Sequence, residues 1–239
     1  MRNIKTMAQA IIACALISGT SAWAMESPLT LAVKYVTYVG ENGSPVITPG
    51  DAQHVIDEVN QVYSSCSVRF RLEEFVTAHP EDSGLGYHPS TMKELDPIRR
   101  QYDDANRLVI INTGKWNKTG GLGADGANAW TMMPGDRPSG TVIESPYASN
   151  ANLVAHELGH YLNLDHSKDR ANLMNPVIYR ASTGLSNFQC DRIREAAQGP
   201  RKLAIRSRVP SPLPGMNEFP GPGPGTQVIS RSLAASAKE

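Results

Sequence analysis

Three histidines set the hardest condition on this chain: one segment must be helical and must then stop close to Leu162. The residues run His156-Glu157-Leu158-Gly159-His160-Tyr161-Leu162-Asn163-Leu164-Asp165-His166. Helical positions four apart are offset by roughly 40° and share a face, so His156 and His160 can present two imidazoles to one point. His166 joins them only if the backbone reverses after Leu162. Such a reversal needs a residue at positive φ, and asparagine is one of the few non-glycine types that tolerates it. The spacing therefore predicts a helix ending near Asn163, with three imidazoles around an open fourth position.

Glu157 directly follows the first imidazole. From there its carboxylate reaches a water on a shared ion without ligating the ion, the arrangement that zinc-assisted hydrolysis of peptide bonds requires. H-E-x-x-H alone is only moderately specific, because His and Glu are ordinary residues on exposed helices. The third histidine narrows the choice, and so does Asn172-Leu173-Met174-Asn175-Pro176. A methionine in a tight turn there can lie beneath the imidazoles as an apolar floor, with Pro176 stiffening the exit.

The segments HELGHYLNLDHS and NLMNP resemble the zinc helix and Met-turn of the metzincin clan, most closely the matrixins. The resemblance covers residues 156–176. It implies His156, His160 and His166 as zinc ligands, Glu157 as general base and Met174 as the Met-turn residue. It also implies an edge strand beside the cleft that pairs with an extended substrate, expected here in the Leu122–Trp130 region. The chain departs from the matrixin pattern in three places. Asn163 stands for the usual glycine. Ile178 stands where a tyrosine is usual, with Tyr179 one place late, which leaves the wall of the specificity pocket open. Phe188 and Gln189 stand where paired acids are usual. Together they suggest a bacterial-type relative.

The N-terminus reads as an export signal over residues 1–24: Arg2 and Lys5, an apolar run from Met7 to Ile17, then Ala22-Trp23-Ala24 as a cleavage site. That predicts a periplasmic or extracellular protein. Ile11-Ile12-Ala13-Cys14 loosely fits a lipoprotein signal, so an anchor through Cys14 is the alternative. No segment qualifies as a spanning helix. With the leader gone, Cys66 and Cys190 remain, and an even number in an exported chain reads as one disulfide; two buried free thiols are the other reading. A matrixin-style thiol latch on zinc would need a cysteine ahead of the domain, and none stands between Ala24 and the first strand.

Charge excludes one class of partner. The 23 basic and 23 acidic residues balance overall, but residues 25–198 carry a net −6 and residues 199–239 a net +4. An acidic body argues against nucleic acid; a protein or peptide substrate is what the metzincin resemblance implies.

Residues 25–198 suffice for one domain with a real core. Leu29–Val39 alternates as a strand. Thr48 and Pro49 open a helix to about Ser65, and Val68–Val76 is a second strand. Thr91–Asp104 is a helix interrupted near Pro97, and Arg107–Asn112 a buried strand. This β-α-β-α-β order predicts an α/β (α+β, metzincin-like) fold: a twisted, mostly parallel sheet with one antiparallel edge strand. Two short runs, Ala129–Met133 and Thr141–Glu144, follow a glycine-rich loop. Then come a long catalytic helix capped by Asn150 and a small C-terminal part holding the Met-turn and a final helix after Ser186. Residues 199–239, rich in proline and glycine, read as a disordered tail; the alternative is that this basic segment docks on the acidic body, over the cleft.

The bland readings are these. Asp165 and Asp169 are solvated, Ser167 forms a turn, and His54, His79 and His88 make no second metal cluster. Asp103, Asp104, Asp125 and Asp136 show no calcium spacing, so calcium stays open. The expected function is a secreted zinc endopeptidase using a zinc-held water and Glu157. The competing class is a zinc-holding module without peptidase activity, acting by binding or inhibition.

Overall fold

A computed structural model describes residues 28–132, 138–198 and 228–233. The expected leader, Cys14, Asp136 and most of the tail lie outside the described residues.

The chain runs β1 (Leu29–Tyr38), α1 (Pro49–Tyr63), β2 (Val68–Ala78), α2 (Met92–Tyr102), β3 (Leu108–Thr113), β4 (Ala127–Met132), β5 (Gly140–Glu144), α3 (Ala151–Tyr161), β6 (Val177–Ile178), α4 (Asn187–Gln198) and β7 (Val228–Leu233). The sheet order is β2-β1-β3-β5-β4-β7-β6. β2, β1, β3 and β5 are mutually parallel, and β4 runs antiparallel to β5. The first five strands are the expected mostly parallel sheet, with β4 as its antiparallel edge.

Both faces of this sheet are covered, and β3 shows it best. Leu108 and Ile110 enter one core with residues of α1, α3 and α4; Val109 and Ile111 enter a second with Leu95, Ile98 and Tyr102 of α2. A strand buried on both sides reads as a continuous apolar run, as this one does. α1 begins with a reciprocal Thr48–Asp51 capping box and Pro49 in its first turn. It buries Ala52, Val55, Ile56, Val59 and Tyr63, and the Tyr63 hydroxyl donates to the Ala155 carbonyl of α3 at 2.8 Å.

Two expectations change. α2 continues through Pro97 instead of breaking there. The ring removes one helical donor, but Pro97 and Lys93 are both solvent-exposed, where a missing main-chain bond costs less than in a dry core. The tail is not wholly without structure either: Val228–Leu233 forms β7, parallel to β4 and antiparallel to β6. Free main-chain groups on the β4 edge supply the pairing energy that composition alone does not reveal.

Cys66, just beyond α1, is bonded to Cys190 of α4, a disulfide spanning 124 residues. α4 starts as expected, with Ser186 and Gln189 exchanging capping hydrogen bonds. No helix of the described residues is long and apolar enough to cross a membrane.

Candidate metal centre

α3 is built to be buried. The Asn150 side chain accepts from the Leu153 amide at 2.9 Å and starts the helix. Leu153, Val154 and Leu158 then pack in the core. The helix ends where the sequence requires. Asn163 has φ of 67°, the Leu164 amide donates to the Gly159 carbonyl at 2.9 Å, and the Asn163 amide donates to the His160 carbonyl at 2.9 Å. These two bonds form a Schellman motif with asparagine in the left-handed position.

That turn also orients His160. It brings the Leu164 carbonyl to 2.7 Å from His160 Nδ1. His156 Nδ1 lies 2.7 Å from the Leu173 carbonyl in the following loop. A carbonyl can only accept, so Nδ1 carries the proton in both rings and each Nε2 is left as a bare lone pair. Those lone pairs point at one another. His160 Nε2 is 3.0 Å from His156 Nε2 and 3.1 Å from His166 Nε2. Lone pairs converging in this way repel unless a cation sits among them. Tetrahedral zinc with Zn–N near 2.0–2.1 Å gives N–N edges of about 3.3 Å, so the donor set fits zinc. Among the described residues this is the one grouping of three or more potential ligands.

Burial keeps the helical imidazoles neutral. It pushes His156 well below the ordinary histidine range, helped by His160. It pulls His160 down to about 3, helped by His166. Neutral imidazole is the form that binds metal. His166 itself lies at the exposed rim.

The loop after His166 forms the floor. The Ser167 amide donates to the Met174 carbonyl at 2.8 Å, and the Asn172 side chain accepts from the Met174 amide at 2.9 Å. Met174 is fully buried beneath α3, and a Cβ at Gly159 would collide with its sulfur. Gly159 thus leaves the space that the Met174 side chain fills. Gln189, one of the departures, exchanges two hydrogen bonds with Asn172, at 2.8 and 3.0 Å, and ties the turn to α4. Ile178 is buried, while Tyr179 turns outward under Arg170, whose guanidinium lies 4.6 Å from the ring centre.

Glu157 is fully buried and accepts from the Thr131 hydroxyl of β4. Thr131 is in turn 2.7 Å from the Thr141 hydroxyl. Neither threonine was singled out by the sequence; the signal lay in strand alternation, which puts Ala127, Ala129 and Thr131 on one face. Glu144 was missed as well. Its buried carboxylate accepts from the Trp116 amide and the Asn128 side chain, each at 3.1 Å, and so ties the glycine-rich loop to β5. The remaining histidines stay apart: His54 lies beside Glu58, His79 beside Glu81, and His88 on the Lys115 carbonyl. Asp103, Asp104 and Asp125 have partners of their own in Ser139, Arg107 and the Ala127 amide.

A buried H-E-x-x-H helix, a third histidine beyond a tight turn and a methionine floor are the site pattern of the metzincin metallopeptidases. The family model for matrixins matches residues 32–195, and the chain belongs to the matrixin family. Comparison with curated proteins gives no match. Among solved structures the chain is similar to metalloproteinase-II from Bacteroides fragilis, at 16% sequence identity and a TM-score of 0.49. That comparison covers 72% of this chain and 55% of the other, so the chain spans about half the length of that protein.

Proposed function

We propose that the protein is an exported zinc-dependent endopeptidase in which His156, His160 and His166 hold one zinc ion and Glu157 is the general base. The observation that carries this reading is the convergence of the three Nε2 atoms, with the buried Glu157 next to His156 in the helix. Zinc held there supplies Lewis acidity toward a peptide carbonyl and lowers the pKa of water to about 7. Glu157 takes the proton of the attacking water and returns it to the leaving amine. Leu164 and Leu173 hold the rings through their carbonyls, and Thr131 holds the carboxylate. The substrate is an extended protein or peptide segment beside β4. The Cys66–Cys190 disulfide supports an oxidising compartment.

The test is cleavage of casein and a peptide library by the zinc-loaded protein, with and without chelator, beside Glu157→Ala. The expected result is chelator-sensitive cleavage, one zinc per chain in both forms, and a loss of about 10²–10⁴-fold in the variant. Equal turnover by Glu157→Ala would remove it as the base. Full zinc retention by His166→Ala would place the third ligand elsewhere.

A further inference from the structure

Val228–Leu233 runs beside the strand that carries Thr131, the partner of Glu157. β4 closes the five-stranded part of the sheet, and its outer edge is taken by β7. Ala127 sits beside Ile229, and Trp130, Thr131 and Met132 sit beside Arg231, Ser232 and Leu233. The other side of β7 is taken by β6, with Val177 beside Ile229 and Ile178 beside Val228. These two walls flank the metal centre. β4 carries Thr131, the partner of Glu157, and β6 starts directly after Pro176 of the methionine turn. β7 also packs against α3, which bears two of the histidines. His156, Glu157 and His160 are each 0% exposed.

We propose that residues 228–233 are an autoinhibitory strand: the chain's own C-terminal segment fills the trough between β4 and β6 and keeps extended peptides from the metal centre. The seating stands on strand pairing alone; its inhibitory meaning rests on the peptidase reading above. Peptides bind sheet edges through main-chain hydrogen bonds, and a given edge group pairs with one strand at a time. A substrate must therefore break the β4–β7 pairing before making its own. Tethering favours the resident strand, because a segment of the same chain pairs in an intramolecular step that a free peptide must match by concentration. Charge favours it too: the segment from residue 199 onward is net +4 and the body, residues 25–198, is net −6. Cutting the chain between Gln198 and Val228 would remove the tether and convert a covered site into an open one.

The test uses the full zinc-loaded chain and a double variant, Ile229→Pro with Arg231→Pro, which removes strand donors and leaves the sequence of residues 25–198 unchanged. Hydrogen exchange of the 127–132 amides is read together with kcat/KM on a quenched peptide. A synthetic peptide of residues 226–235 is then added to the double variant. The expected result is faster exchange in β4, kcat/KM raised about tenfold or more, mainly through KM, and competitive inhibition by the added peptide. Unchanged exchange overturns the seating. Faster exchange with unchanged kcat/KM in chains that do cleave overturns the inhibition. If neither chain cleaves with zinc bound, the peptidase reading fails. Exchange then decides the seating alone: faster exchange upholds it, and unchanged exchange overturns it.

Discussion

The Thr131 hydroxyl donates to the Glu157 carboxylate and so joins β4 to α3. With that proton committed, the neighbouring Thr141 hydroxyl donates to Thr131, giving a short relay across β5 and β4. Thr131→Val keeps the volume and removes the relay. The expected outcome is a fall in kcat of roughly tenfold with KM little changed, restored by Thr131→Ser. Steady-state kinetics on one peptide decide it; a serine variant as impaired as valine would show that shape, not the hydroxyl, matters.

Gly159 and Met174 are coupled by space. A methyl group at 159 overlaps the Met174 sulfur and comes within 3.3 Å of the Tyr63 hydroxyl. Overpacking of this kind costs about 1–3 kcal/mol. The gain in helix propensity returns about 1 kcal/mol. Gly159→Ala is therefore expected to destabilise by about 1 kcal/mol, and less when Met174→Ala is present. A double-mutant cycle in urea reads the coupling; strictly additive effects would contradict the packing account.

The Cys66–Cys190 bond closes a loop of 124 residues between the end of α1 and α4. Loops of that size restrict the unfolded chain strongly, and losing such a bond typically costs about 2–5 kcal/mol. Arg194 adds hydrogen bonds to the Cys66 and Ser67 carbonyls at the same junction. Replacing both cysteines with serine should lower the denaturant midpoint accordingly, while α4 exchanges faster than β3. A drop under about 0.5 kcal/mol would mean that packing alone holds α4.

Acid should destabilise the metal-free protein. His156 and His160 are depressed by burial, His160 to about 3, whereas an unfolded histidine titrates near 6.5. Between those values the unfolded chain binds the protons that the folded chain refuses. The stabilisation is present above pH 6.5 and is lost as pH falls toward the folded values. For His160 the loss from pH 7 to 5 is on the order of 2 kcal/mol. Urea unfolding in chelator at the two pH values measures it. His160→Ala should flatten the slope, and a stability independent of pH in this window would refute neutral burial.

The elements legible in the sequence were those with local causes. The Asn150 cap, the Ser186–Gln189 box, the Thr48–Pro49 start and the positive φ at Asn163 each depend on a few adjacent residues. The three-histidine cluster was legible for the same reason, because one helix and one turn bring it together. Thr131 was not, since its importance comes from register between β4 and a helix more than twenty residues later. β7 was hidden in a different way: its partners β4 and β6 lie about a hundred and about fifty residues away, and the surrounding proline and glycine dominate the composition. Pro97 misled because it lies on an exposed helix face, where a missing main-chain bond costs less than in a dry core.

Both helical imidazoles are oriented by main-chain oxygens, those of Leu164 and Leu173. Every residue type carries such an oxygen, so changing either leucine leaves the ring its acceptor as long as the turn keeps its path. Drift at these two sites is therefore buffered, and the vulnerable positions are the ones that shape the path: Asn163 and Asn172.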